Sequence, residues 1–148
     1  MHKGRPRNLL SSGVMAAAAL VAACADSDDF TVQLATIEVT THQVAIDSPM
    51  VAGVGEPVLI GITTWGGGCT SEERTDIELH DQEVHIYPYN RTRIPSKGSA
   101  CTQQLLSIPH QAMFKFEVAG NKQITVHGIR EMGFSTEPLD VTLTLLIN

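Results

Sequence analysis

From residue 30 onward, apolar and polar residues alternate with a period of two, and no segment sustains a helical 3.6-residue period. Thr75 to Pro88 (TDIELHDQEVHIYP) is the most regular stretch. Folding it about Asp81-Gln82 sets Leu79 opposite Val84, Ile77 opposite Ile86, Glu78 opposite His85 and Asp76 opposite Tyr87. One face is then apolar and the other polar, as a half-buried antiparallel pair requires, and a slip of one residue would mix them. The turn lacks the glycine that two-residue hairpins favour, so a four-residue loop is the alternative there. Pro57 to Trp65 (PVLIGITTW) is a nearly continuous apolar run suited to a strand buried between sheets. Phe30 to Thr40 and Thr41 to Ile46 are rich in β-branched residues. Ala112 to Val118 alternates, Lys122 to Ile129 alternates with a shift at Gly128, and Pro138 to Ile147 closes the chain. Asn90 to Cys101, rich in Arg, Ser, Pro and Gly, reads as a loop. Seven or eight short strands joined by turns predict an all-β fold, an antiparallel immunoglobulin-like β-sandwich, with a small β-barrel as the alternative.

The first residues follow a different logic. Met1 to Arg7 carries Lys3, Arg5 and Arg7 without an acidic residue, and Leu9 to Ala23 is almost wholly apolar or small. This is a basic segment followed by an apolar one shorter than the roughly 20 residues of a membrane-spanning helix. Val21-Ala22-Ala23-Cys24 closes it, and resembles the lipobox of bacterial lipoproteins, in which small residues precede a cysteine. The family usually has Leu where Val21 stands. The resemblance implies a signal peptide over 1–23, removed by cleavage before Cys24, and lipidation of Cys24 by a diacylglyceryl group and a further acyl chain such as palmitate. Two or more chains, at about 0.8 kcal/mol per buried methylene, hold a soluble domain at a membrane. A transmembrane anchor is the rival reading; Asp26, Asp28 and Asp29 end the apolar run abruptly. The implied organisation is 1–23 signal peptide, 24–29 lipidated cysteine and acidic tether, and 30–148 folded domain. It also implies a cell-envelope location. Ala25, rather than Asp, follows the cysteine, which favours the outer membrane in a cell with two.

Cleavage would leave 125 of the 148 residues. It removes three of the ten Lys and Arg and none of the sixteen Asp and Glu, so the formal charge moves from −6 to −9. With no basic stripe, nucleic acid is not an expected partner. The expected partners are the membrane, through the lipid anchor, and an envelope protein. With Cys24 committed to lipid, Cys69 and Cys101 form the expected disulfide of an exported domain.

Little else in the sequence names a chemistry. The polar face of the 75–88 hairpin gathers Glu78, His80, Glu83 and His85, whose imidazoles and carboxylates suit zinc, or else pair across strands as a solvated surface. Gly66-Gly67-Gly68 follows a strand but lacks the ending of a phosphate loop; its expected role is to turn the chain and bring Cys69 to Cys101. No Ser stands in a nucleophile-elbow setting, and neither His110 nor His127 has a carboxylate at a triad-like spacing. Asn90-Arg91-Thr92 matches a glycosylation sequon, which in a bacterial lipoprotein is expected to be a chance match. The sequence therefore favours a binding or interaction domain of unknown ligand over an enzyme, with Trp65, Arg91 and Arg93 as the candidate binding surface. The other readings are a small metal-dependent or carboxylate-based envelope hydrolase and a structural subunit of an envelope complex.

Overall fold

The computed structural model describes residues 29–148; the signal-peptide residues, Cys24 and most of the acidic tether lie outside the described residues. Ten β-strands and no helix make up the described chain: β1 Phe30–Leu34, β2 Thr36–Val39, β3 Ala45–Asp47, β4 Val51–Ala52, β5 Val58–Gly66, β6 Thr70–Leu79, β7 Glu83–Arg93, β8 Leu106–Phe114, β9 Gly120–Met132 and β10 Ser135–Ile147.

The fold is all-β, one curled sheet doubled over a single core in the manner of a sandwich. One half runs β6-β7-β9-β10, with β4 on the edge of β10; the other runs β8-β5-β3. A split strand joins them. β1 pairs with β7, and β2 pairs with β9 and touches β5 at Thr36 and Trp65. Buried Ala35 makes the change of partner, donating to Pro88 O at 2.8 Å and accepting from Ile129 N at 3.0 Å.

Alternation along each strand supplies the core. Val58, Ile60 and Ile62 of β5, Val84 and Ile86 of β7, Ala112 and Phe114 of β8, Ile124 and Val126 of β9, and Leu145 and Ile147 of β10 meet around Ile37 and Phe116. The β6–β7 register is the one expected, with Ile77↔Ile86, Glu78↔His85 and Leu79↔Val84. The turn closes through His80 N donating to Glu83 O at 2.8 Å, and among the described residues no non-glycine residue takes a positive φ. Lys122 replaces the missing glycine as the means of holding this turn. Its fully buried side chain starts from an inward position of β9 and donates from Nζ to Asp81 O at 3.0 Å and Gln82 Oε1 at 3.1 Å, 5.2 Å from the Phe116 ring centroid.

Several expectations need correction. Asn90 to Arg93 belongs to β7 rather than to a loop, because β1 and β6 flank it on both edges. The strand before Ala112 begins at Leu106, where Ile108 and His110 already face inward. The alternation in β9 does not shift at Gly128. Gly128 continues the inner row behind Lys122, Ile124 and Val126, because a Cβ there would come within 2.8 Å of Ile37. The described residues form ten strands rather than seven or eight, and β2–β9, β7–β9 and β4–β10 pair parallel.

Cys69 and Cys101 are joined by a disulfide, with Cα atoms 5.3 Å apart. The glycine run acts as expected. A side chain at Gly68 would collide with Thr102, and Gly68 N donates to Thr102 O at 3.1 Å, so only a bare backbone lets the segment around Cys101 approach.

Candidate functional site

The outer face of the β6-β7-β9-β10 half carries the densest set of titratable groups. On β7, alternation turns Val84 and Ile86 inward and Glu83, His85 and Tyr87 outward. Parallel pairing aligns His85 with Thr125 of β9, and antiparallel pairing aligns His127 of β9 with Asp140 of β10. Three strands thus place an unbroken row: Asp140 Oδ1 lies 2.8 Å from His127 Nδ1, His127 Nε2 lies 2.9 Å from His85 Nδ1, and His85 Nε2 lies 3.7 Å from Glu83 Oε2.

The two imidazoles lie edge to edge, tilted by 18° with centroids 5.2 Å apart, as an in-line N–H···N bond requires. Tyr87 stacks on His127 at 4.5 Å and 10°, and its hydroxyl donates to Glu78 Oε2 at 3.3 Å. Burial, and then the Glu78 carboxylate, hold the Tyr87 phenol above its ordinary value, so it remains a donor.

With both imidazoles neutral, the hydrogen bonds assign the tautomers. An ionised Asp140 only accepts, so Nδ1 of His127 carries the proton and its Nε2 accepts. His85 Nδ1 is then the donor, which leaves the lone pair of neutral His85 on Nε2, facing Glu83. The row delivers one oriented, basic nitrogen to a surface position: the His85 and His127 side chains are 28% and 18% exposed.

A second polar group is sealed inside. His110 Nε2 donates to Asn90 Oδ1 at 2.8 Å, Asn90 Nδ2 donates to Thr64 Oγ1 at 3.1 Å, and Thr64 Oγ1 donates to Ile108 O at 3.1 Å. Thr75 Oγ1 lies 2.9 Å from His110 Nδ1 and ties β6 to β8. Burial pushes His110 below the ordinary histidine value, opposed by the Glu72 carboxylate 3.8 Å away. Each inward nitrogen has a partner, so this node reads as structural.

Among the residues singled out by sequence, His80, Glu83 and His85 share the outer face, with the His80 and His85 ring centroids 5.9 Å apart, while Glu78 is turned to Tyr87. Among the described residues no three His, Cys, Asp or Glu groups already converge on one point. Of the expected binding surface, Arg91 and Arg93 stand two residues apart on β7 and Trp65 stands on β5. Trp65 projects from β5 against His42, with ring centroids at 4.4 Å. Arg91 lies on the other half of the sheet, against Phe30, Ser71 and Glu73, and the Arg93 backbone N donates to Cys69 O. His127, Asp140 and Tyr87 join the site only through the pairing of β9 with β7 and β10, which no local sequence pattern announces. Compared with known proteins, the chain matches no family model, no curated protein and no solved structure.

Proposed function

We propose that the chain is an envelope lipoprotein, anchored by lipid on Cys24, whose β domain is a binding module displayed at the membrane surface. The observation that carries this reading is how closely β1 follows the lipobox. Only Ala25 to Asp29 separate Cys24 from β1, and β1 is paired with β7 along its whole length, from Phe30↔Arg93 to Leu34↔Tyr89. Five residues reach at most about 18 Å. The ten-residue rise from Arg93 back to Glu83 spans about 33 Å. A domain tethered this way keeps the Phe30–Arg93 end near the bilayer and turns the β6–β7 turn, with its histidine row, outward. The acidic balance of the mature chain repels anionic headgroups and tends to hold the domain off the surface.

The test is crosslinking in living cells, then capture through a C-terminal tag. A specific envelope protein enriched over a Cys24→Ser control supports a binding module; no enrichment in repeated captures counts against it. A second reading, a small envelope hydrolase, is favoured by the Asp140–His127–His85 row, which orients a base at the surface. It predicts ester or amide hydrolysis by the purified protein that disappears in His85→Gln.

A further inference from the structure

We infer that the β6–β7 turn carries a zinc site, with His80, Glu83 and His85 as ligands and His127 and Asp140 as positioning residues behind them. The inference goes beyond the anchored-module reading and does not depend on it.

The case begins with the free nitrogen. A zinc-bound histidine normally donates its other ring N–H to an acceptor that fixes its tautomer and raises its basicity. His85 Nδ1 does this toward His127 Nε2 at 2.9 Å, and Asp140 fixes His127 in turn at 2.8 Å. Tyr87, stacked on His127 at 4.5 Å, holds that ring in plane. The row thus has the form of an outer shell, and it leaves Nε2 as the one ring nitrogen of His85 available to a metal.

The spacing around Nε2 fits. Zinc bonds of about 2.0–2.2 Å at tetrahedral angles place an N and an O ligand about 3.4 Å apart. Glu83 Oε2 stands 3.7 Å from His85 Nε2. Two imidazoles on one zinc have ring centroids about 5 Å apart on the same geometry, and His80 and His85 are at 5.9 Å, edge to face at 74°. Each gap exceeds the liganded value by less than 1 Å. His80 and Glu83 are exposed, so both side chains have room to turn toward a metal at His85 Nε2.

The backbone supports the set. His80 N donates to Glu83 O across the turn, and buried Lys122 pins Asp81 and Gln82 between them. Two histidines and one glutamate make a three-ligand zinc set whose fourth position is open to water or to a side chain of a partner. Glu78 shares the face but accepts from the Tyr87 hydroxyl and stays outside the set.

The experiment uses the detergent-solubilised full chain, freed of metal, titrated with zinc by calorimetry and with cobalt by visible absorption. The expected result is one ion per chain at micromolar dissociation constant or tighter, with cobalt d–d bands of a low-coordinate site. His80→Asn and Glu83→Gln, at exposed positions, should each weaken zinc at least tenfold without moving the metal-free melting temperature. Asp140→Asn should weaken it about 10–100-fold and alter the cobalt spectrum, which loss of fold stability alone does not do. Glu78→Gln should bind as the parent does. Absence of binding at 100 µM zinc, or binding unchanged in both His80→Asn and Glu83→Gln, overturns the proposal.

Discussion

Removing the Cys69–Cys101 disulfide should cost the domain about 4 kcal/mol. The bridge spans 32 residues of sequence. The loop-closure entropy it withholds from the unfolded chain is about 12 cal/mol/K, which at 25 °C is about 3.7 kcal/mol. The folded state loses little by comparison, because the segment between the cysteines is held by other means. β6 and β7 pair from Thr70↔Thr92 to Leu79↔Val84, and Cys69 O accepts from Arg93 N at 3.0 Å. The effect should therefore appear as a loss of stability with an intact β fold. In urea it corresponds to a fall of about 2 M in midpoint, and on heating to a drop of roughly 15 °C. The assay is urea unfolding, followed by far-ultraviolet circular dichroism, of the parent, the reduced parent and a Cys69→Ser/Cys101→Ser double variant. The two perturbed proteins should agree with each other. A loss below about 1 kcal/mol would refute the reasoning, since it would mean that the unfolded chain is already restrained between these residues.

Lys122→Met keeps the buried stem and deletes the hydrogen bonds to Asp81 and Gln82. It should cost about 2 kcal/mol, with hydrogen exchange faster at the β6–β7 turn than elsewhere. Gly128→Ala drives a methyl group into Ile37 and should cost about 2 kcal/mol. Adding Ile37→Ala should make the double variant more stable than the sum of the two single losses, read from urea midpoints. His110 is held below its unfolded value, so its contribution is present above about pH 6.5 and is lost as pH falls through the unfolded and then the folded value. The fall in melting temperature between pH 7.5 and 5 should be smaller in His110→Gln than in the parent; an equal or larger fall contradicts the assignment.

What the sequence made legible, and what it hid, has a consistent physical basis. The β6–β7 register could be read because two short, cleanly alternating strands are joined by a tight turn, and one slipped residue would expose Ile77 and Val84. The Cys69–Cys101 bridge could be read by elimination. Lys122 could not, because a lysine in an alternating strand looks like a solvent-facing residue until the turn it holds is known. The start of β8 was hidden for a related reason: the inner row of SIPHQA includes His110, and Pro109 interrupts the outer row. Gly128 looked like a break in β9, whereas it is the inner position that admits Ile37. The histidine row was half visible. Glu83 and His85 were legible from the hairpin, but His127 and Asp140 reach them only through strand pairings 42 and 13 residues apart in sequence. The parallel β7–β9 pair leaves no local trace of its register.

The most direct test of the lipid-anchored module is the intact mass of the protein extracted with detergent from bacterial membranes, compared with a Cys24→Ser variant. The account predicts a mass equal to residues 24–148, less two hydrogens for the disulfide and plus a diacylglyceryl group with or without a third acyl chain, and loss of these additions in the variant. A full-length, unmodified mass would contradict it.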